Sequence, residues 1–182
     1  PYIMGHTAEF IAQHLKISRK DMDEVALRSH NNVERATQEG LFHDEIIPIE
    51  VPQRKKAPLI FDKDEHFRPG LTMEELANLP AAFVPNIGKV TAGNSSGLND
   101  GAAAMILMTV EKAKELGVTP LAKIKAVSSG GCHPSVMGLS PVPAIKKLIS
   151  NSPYQMDDFE LIELNEAFAS QYIGCEKELE LN

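Results

Sequence analysis

Cysteine is scarce in this chain, with Cys132 and Cys175 the only two in 182 residues. They form no CxxC pair and no evenly spaced framework, which argues against a disulfide scaffold and fits reduced thiols in a reducing compartment. The six histidines are scattered without an HxxxH spacing, so no metal site is expected. Positive charge is in deficit: 18 Lys and Arg face 25 Asp and Glu, giving a net charge of −7 and a pI near 5.4. That balance argues against general nucleic-acid binding, which needs a basic face to displace counterions from phosphates; a polyanionic small ligand would need a local cation. The longest apolar run is Ala102–Met108, well short of the roughly 18 residues of a membrane span. Pro1-Tyr2-Ile3-Met4-Gly5 has no initiator Met, no basic n-region and no apolar h-region, so no signal peptide is expected. The last residues, Glu176–Asn182, stop inside or just after a helical pattern, and both ends read as internal to a longer polypeptide.

With 43% hydrophobic residues the chain can bury an ordinary globular core as one domain or parts of two. Thr7 is placed to cap a helix Ala8–Leu15 whose Phe10, Ile11, His14 and Leu15 share a face, and Ser18 with Asp21 resembles a capping box for the next helix. That helix, Arg19–Glu39, sets Met22, Val25, Ala26, Ser29, Val33 and Ala36 on one stripe and ends at Gly40. Glu45–Val51 reads as a short strand pushed to a sheet edge by Pro48, Gln53–Pro58 as a basic loop, and Phe61–Gly70 as a segment without period. Thr72 with Glu75 predicts a capped helix through Leu79.

The turn-rich Asn94–Gly101 divides the chain. After it, Ala102–Met108, a Thr109-capped helix Val110–Leu116 closed by Gly117, and Leu121–Val127 read as strand, helix and strand. Pro141 or Pro143 can open a helix through Ile149, Phe159–Leu164 is another apolar strand, and Asn165 begins a helix running through Ala169, Tyr172, Ile173 and Glu176. Alternating strands and helices predict an α/β layered fold with a largely buried sheet.

Leu164-Asn165-Glu166-Ala167-Phe168 lies where such sheets present ligand-binding groups, at the carboxyl end of a parallel strand and the start of a helix. The competing reading makes Asn165 a helix cap and Glu166 a dipole partner. Val90–Gly101 is rich in glycine and serine, so backbone there can approach a ligand closely, although the same composition suits a plain turn. It carries no Gly-Lys-Ser/Thr and no dinucleotide fingerprint. Cys132 beside His133 suggests a nucleophile and base, but adjacent side chains in extended chain point apart. Asp62, Asp64 and Glu65 form an acidic cluster that reads as a solvated loop, since the glycine and distal glutamate of an EF-hand are missing.

Taken in order, Met4–Glu9, Arg19–Arg28, Asp44–Pro48, Asp64–Pro69, Val90–Ala104 (with TAGNSSGLNDGAAA), Met137–Lys147 and Leu161–Gln171 (LIELNEAFASQ) resemble the thiolase family, and MGLSPVPAIKK is similar to its short-chain acetyl-CoA acetyltransferases. The resemblance covers nearly all of the chain. It implies an αβαβα layered fold of two similar halves, present here incompletely, with an inserted α-rich loop domain that holds coenzyme A. On that pattern residues 1–97 are the loop domain, 98–118 return to the N-terminal half and 119–182 begin the C-terminal half.

The resemblance further implies an acyltransferase that condenses two acetyl-CoA to acetoacetyl-CoA and free CoA, or runs the reverse thiolysis, with coenzyme A thioesters as substrates and no separate cofactor. Arg68 would reach the adenine–phosphate end of coenzyme A; Phe83, Ala92 and Ser96 would line the pantetheine channel; Met137 and Phe168 would wall the acyl pocket. Asn165 would hold a water beside the thioester oxygen and help stabilise an enolate or oxyanion. The family's nucleophilic cysteine would lie upstream, and its proton-transferring histidine and second cysteine downstream, so this stretch would supply only coenzyme A-binding and oxyanion-site residues. Homodimers or homotetramers in the cytoplasm are implied, with no nucleic-acid or membrane partner. Two departures are visible: Ile3 stands where the family often has His, and Ser95 where Ala is common. A non-catalytic coenzyme A-binding subunit and a purely structural thiolase-fold partner remain alternatives. Apolar segments such as Phe159–Leu164 would be exposed without the sheet neighbours that the rest of a thiolase provides.

Overall fold

A computed structural model describes residues 3–181. Helix α1 spans Met4–His14 and α2 spans Arg19–Gln38. A hairpin follows, with β1 (Ile49–Val51) antiparallel to β2 (Leu59–Phe61) and Glu50 opposite Ile60. The short α3 (Met73–Ala77), α4 (Val110–Glu115), α5 (Pro141–Ser150) and α6 (Ala169–Leu179) complete the regular elements, with 3₁₀ turns at Ala92–Asn94, Pro134–Leu139 and Met156–Asp158.

Local chemistry explains most boundaries. Ser18 and Asp21 bond reciprocally at the start of α2, as do Thr72 and Glu75 at α3, each pair satisfying two N–H groups that a helix start leaves free. Thr109 caps α4 by accepting the Lys112 N–H at 3.2 Å. Gly40 and Gly117 turn out of their helices at φ of +72° and +66°, and the following residues bond back to Ala36 and Ala113. Lys16 makes the same exit from α1 at φ +52°, with Ile17 N–H donating to Ala12 O at 2.9 Å. Burial of Ile17 holds this left-handed lysine in place.

The core is a three-helix arrangement in which Ala8, Ile11 and Ala12 of α1, Met22 of α2, and Ala169 and Ile173 of α6 pack with Ile17 and Val90. A smaller cluster joins Val142 of α5 to Cys175 and Leu179 of α6. Close approach of α1 to α6 is sealed by the Ser170 hydroxyl, which donates to Ala8 O at 2.9 Å within the core. Only the first half of the α2 stripe is deeply buried, at Met22 and Ala26, together with Asp23.

Several expectations are corrected. Thr7 does not cap α1: the helix begins three residues earlier behind Ile3, and the Thr7 hydroxyl turns inward to Met4 O at 2.7 Å. The buried face of α1 is Gly5, Thr7, Ala8, Ile11 and Ala12, because small residues admit its neighbours, while Phe10 and His14 stack on each other outside the core. Residues 45–48 stay outside the ladder, and β2, unforeseen because Leu59–Phe61 is short and follows a proline, supplies the partner of β1. Both hairpin strands are exposed on both faces. Ala102–Met108, Leu121–Val127 and Phe159–Leu164 form no ladder among the described residues, so the buried parallel sheet does not assemble within this chain. A strand needs a hydrogen-bonded neighbour, and these segments stand open instead, as anticipated for Phe159–Leu164; Ile106 is 86% and Leu161 78% exposed. Finally, α6 starts at Ala169 behind Phe168, four residues beyond Asn165, so Asn165 is not a helix cap.

The corrected face of α1 can be checked by denaturant unfolding of the complete polypeptide that carries this chain. Ile11→Ala should cost about 2–5 kcal/mol, as cavity-forming core truncations do, and Phe10→Ala about 1 kcal/mol or less. Equal costs would contradict the assignment.

Candidate active site

The Val90–Gly97 turn is built from inside outward. The Thr91 hydroxyl accepts the N–H groups of Gly93 and Asn94, and Asn94 Oδ1 accepts the Thr91 N–H at 2.8 Å. The buried Asn94 amide also donates to Lys89 O at 3.0 Å and to Asp23 Oδ1 at 2.9 Å. Asp23 is 1% exposed, and its other oxygen takes Arg19 Nε at 2.7 Å. The same guanidinium caps the carbonyls of Leu76 and Leu79. One chain of charge-assisted bonds therefore joins α2, the end of α3 and the turn. A second clamp comes from Glu9 on α1, whose carboxylate accepts the backbone N–H groups of Lys89 and Val90 at 2.8–2.9 Å. The Lys89 ammonium reaches Ile17 O at 2.6 Å.

The turn is also pinned to the segment before α6. Ser96 N–H donates to Ala167 O at 3.0 Å, and Ser95 and Phe168 form an antiparallel bridge. That pairing holds Phe168 extended at φ −142°, ψ 138° and delays the helix, which leaves Asn165 open on its approach. The Ser95 hydroxyl donates to Thr91 O at 2.7 Å, so the serine found where Ala is common serves the turn itself.

Three clefts meet at this junction. Arg68, Phe83, Ala92 and Ser96 line one of about 780 Å³. Asn165, Met137 and Phe168 line a smaller one of about 230 Å³ with Met4, Ile11 and Gln171. Asn165 and Ser96 also face a third of about 510 Å³, between α2 and the segment before α6. The first two are separated by an edge-to-face contact of Phe83 and Phe168, ring centroids 6.1 Å apart. Phe83 in turn lies against Gly5, where any side chain would collide with the ring. The structure thus brings all seven residues singled out from the sequence to one continuous set of clefts. Arg68, Ala92, Ser96, Met137 and Asn165 are exposed there, and Phe83 and Phe168 are half-buried.

Sequence reasoning missed the supports: Glu9, Arg19, Asp23 and Asn94. The Arg19–Asp23 spacing of four on a helix was a usable signal, whereas the reach of Glu9 to Lys89 across 80 residues had none. His30 and Glu34 were missed too. His30 Nδ1 accepts the Arg68 N–H at 3.0 Å, and Glu34 the Gly70 N–H at 2.9 Å. Burial pushes the His30 imidazole below its ordinary pKa of 6.5, with His66 and Arg68 adding to that effect and Glu166 opposing it.

The rejected pair behaves as argued. Cys132 Sγ points to Val136 O and the Ser140 hydroxyl, while the His133 ring binds Ser135. Cys175 is buried, and burial raises its thiol pKa, away from a reactive thiolate. Asp64 accepts the His66 N–H, and no metal-binding cluster occurs among the described residues.

Comparison with known proteins identifies the architecture. Residues 1–111 match the model of the thiolase N-terminal domain and residues 118–182 that of the thiolase C-terminal domain, so the chain belongs to the thiolase family. It is 49% identical to a probable acetyl-CoA acyltransferase of Staphylococcus epidermidis over 99% of this chain and 45% of that protein. Identity to an acetyl-CoA acetyltransferase of Cupriavidus necator is 46%, over 98% and 45%. The crystal structure of the Bacillus anthracis acetyl-CoA acetyltransferase superimposes with a TM-score of 0.92 at 48% identity, covering 99% of this chain and 45% of that one. Human mitochondrial 3-ketoacyl-CoA thiolase in complex with CoA gives 0.88 at 43%, covering 98% and 44%. The chain spans a little under half the length of these relatives. Its open segments therefore follow the path of a partial thiolase αβ fold.

Two outcomes test this construction in the complete polypeptide. Asp23→Ala strips the carboxylate from the partly buried Arg19 guanidinium and from the buried Asn94 amide, and should destabilise by about 3 kcal/mol in urea unfolding; a loss comparable to an exposed ion pair would refute the network. An imidazole whose pKa is lowered by folding stabilises above its unfolded pKa of 6.5, and that contribution is lost as pH falls through the lowered folded value. His30→Gln should accordingly gain thermal midpoint relative to the wild type on acidification below pH 6.5, and parallel curves would count against it.

Proposed function

We propose that this chain forms the coenzyme A-binding and oxyanion side of a thiolase-type acyltransferase, which condenses two acetyl-CoA to acetoacetyl-CoA and CoA or runs the reverse thiolysis. The observation that carries the reading is the junction of the two clefts: the Ser96 turn and the Asn165 segment share a backbone hydrogen bond, so a thioester threaded past one arrives at the other. Arg68 supplies the cation for the adenine–phosphate end, and Ala92 leaves room for pantetheine between Ser96 and Phe83. Met137 and Phe168 bound the acyl group. Asn165 carries a carboxamide, which is no general base, and instead holds a water or the thioester oxygen as charge develops there.

The nucleophilic cysteine, the histidine and the second cysteine belong to the remainder of the polypeptide, and the chemistry needs no metal or separate cofactor. The division into a loop domain of residues 1–97, a returning segment 98–118 and the start of the C-terminal half at 119–182 goes with this reading. So do a place in fatty acid metabolism, a cytoplasmic setting and a homo-oligomer of two or four copies.

In the complete enzyme Asn165→Ala should lower kcat about 10²-fold or more, as loss of one oxyanion-type group does; unchanged turnover in a folded variant sinks the role. Arg68→Ala should raise the Michaelis constant for acetyl-CoA with kcat little altered, because it removes uniform binding. Coenzyme A binding without any thiolysis in the complete protein would favour a non-catalytic subunit instead.

A further inference from the structure

We propose that His30 and Glu34, one turn apart on α2, are positioning residues that aim Arg68 at the phosphate end of coenzyme A by holding the backbone of residues 68–70. The proposal rests on the coenzyme A reading of Arg68 given above.

Arg68 stands in an exposed stretch without helix or strand. A long cation on a free loop loses conformational freedom on binding, and that loss subtracts from affinity. Here the loop is tethered. His30 Nδ1 accepts the Arg68 N–H at 3.0 Å and Glu34 Oε2 accepts the Gly70 N–H at 2.9 Å. Pro69 between them has no N–H to offer, so the two acceptors take the two donors that the segment presents to α2. The four-residue spacing puts both acceptors on one helix face. Gly70, at φ +68°, then turns the chain away toward α3.

His30 Nδ1 and Glu34 Oε2 are each occupied by a backbone N–H, and the other Glu34 oxygen takes the Gln38 amide at 3.3 Å, which separates their role from ligand contact. The Glu34 carboxylate, bonded to Gly70 N–H, fixes the end of the loop. The Arg68 guanidinium has no carboxylate partner among the described residues. It borders the same cleft as His30, His66, Phe83 and Ser96. A neutral His30 with its proton on Nε2 is the form that accepts, and burial, with the neighbouring His66 and Arg68, disfavours the charged form.

The test is steady-state kinetics on the complete enzyme with acetyl-CoA. His30→Leu, which removes the acceptor, should raise the Michaelis constant about 5-fold with kcat unchanged. His30→Gln, whose amide oxygen can still accept, should restore most of it. Glu34→Leu and Glu34→Gln should behave as a second such pair, and thermal midpoints establish that each variant is folded. Because His30 acts through Arg68, the His30→Leu/Arg68→Ala double variant should be no worse than Arg68→Ala alone. Additive losses, a fall in kcat, or failure of the Gln variants to rescue would overturn the proposal. An unchanged Michaelis constant in Arg68→Ala would remove the coenzyme A reading and the proposal with it. Faster amide exchange at Arg68 and Gly70 in the Leu variants reads the tether alone, so failure of the reading and failure of the tether are told apart.

Discussion

Asp23 brings a carboxylate into a site that is almost closed to water, and the arrangement around it decides where the cleft-facing turn sits. Its two oxygens are divided between the Arg19 guanidinium and the Asn94 amide. Arg19 passes the connection to the carbonyls of Leu76 and Leu79, and Asn94 passes it to the backbone of Lys89 and Thr91. A buried charge with both oxygens engaged is tolerable, and with one released it is not. The geometry of the turn is therefore all-or-none. Glu9 adds an independent anchor from α1. The turn is thus tied to α1, α2, the end of α3 and the Asn165 segment at once.

Rigidity at the turn contrasts with openness just beyond it. Ala92 in the 3₁₀ turn and Ser96 just beyond it face the cleft. The Thr91 and Ser95 hydroxyls serve the fold, and the Ser96 hydroxyl is left for other use. Phe83 and Phe168 divide the large cleft from the small one by their ring edges, and Gly5 is needed where it stands because the Phe83 ring occupies the volume a side chain would take.

Much of this was legible in the sequence, for reasons that differ by region. Ser18 with Asp21, Thr72 with Glu75, Thr109, Gly40 and Gly117 act through bonds within a few residues, so their patterns fixed helix ends well. Phe83 and Met137 were found through the thiolase resemblance rather than by spacing, whereas Asn165 stood out first from its place after an apolar run, and the clefts gather them together. What escaped notice depended on distant partners. The apolar runs at 102–108, 121–127 and 159–164 read as strands because pattern reports propensity for pairing, whereas a ladder also requires a neighbour. The start of α6 was set four residues early because the Ser95–Phe168 bridge overrides the capping preference of Asn165. The inner face of α1 was misjudged because small residues, not large ones, line a close helix contact.

The bond from Ser170 to Ala8 links residues 162 positions apart, so the last described helix completes a core that the first one begins. On a ribosome, α1 is made long before α6 exists, and its buried face must wait through the synthesis of nearly the whole chain. Contacts of such separation close large loops and come late in folding. Ala8, Ile11 and Ala12 are then exposed apolar surface for that interval, the kind of surface that leaves a folding chain prone to aggregation until the distant helix arrives.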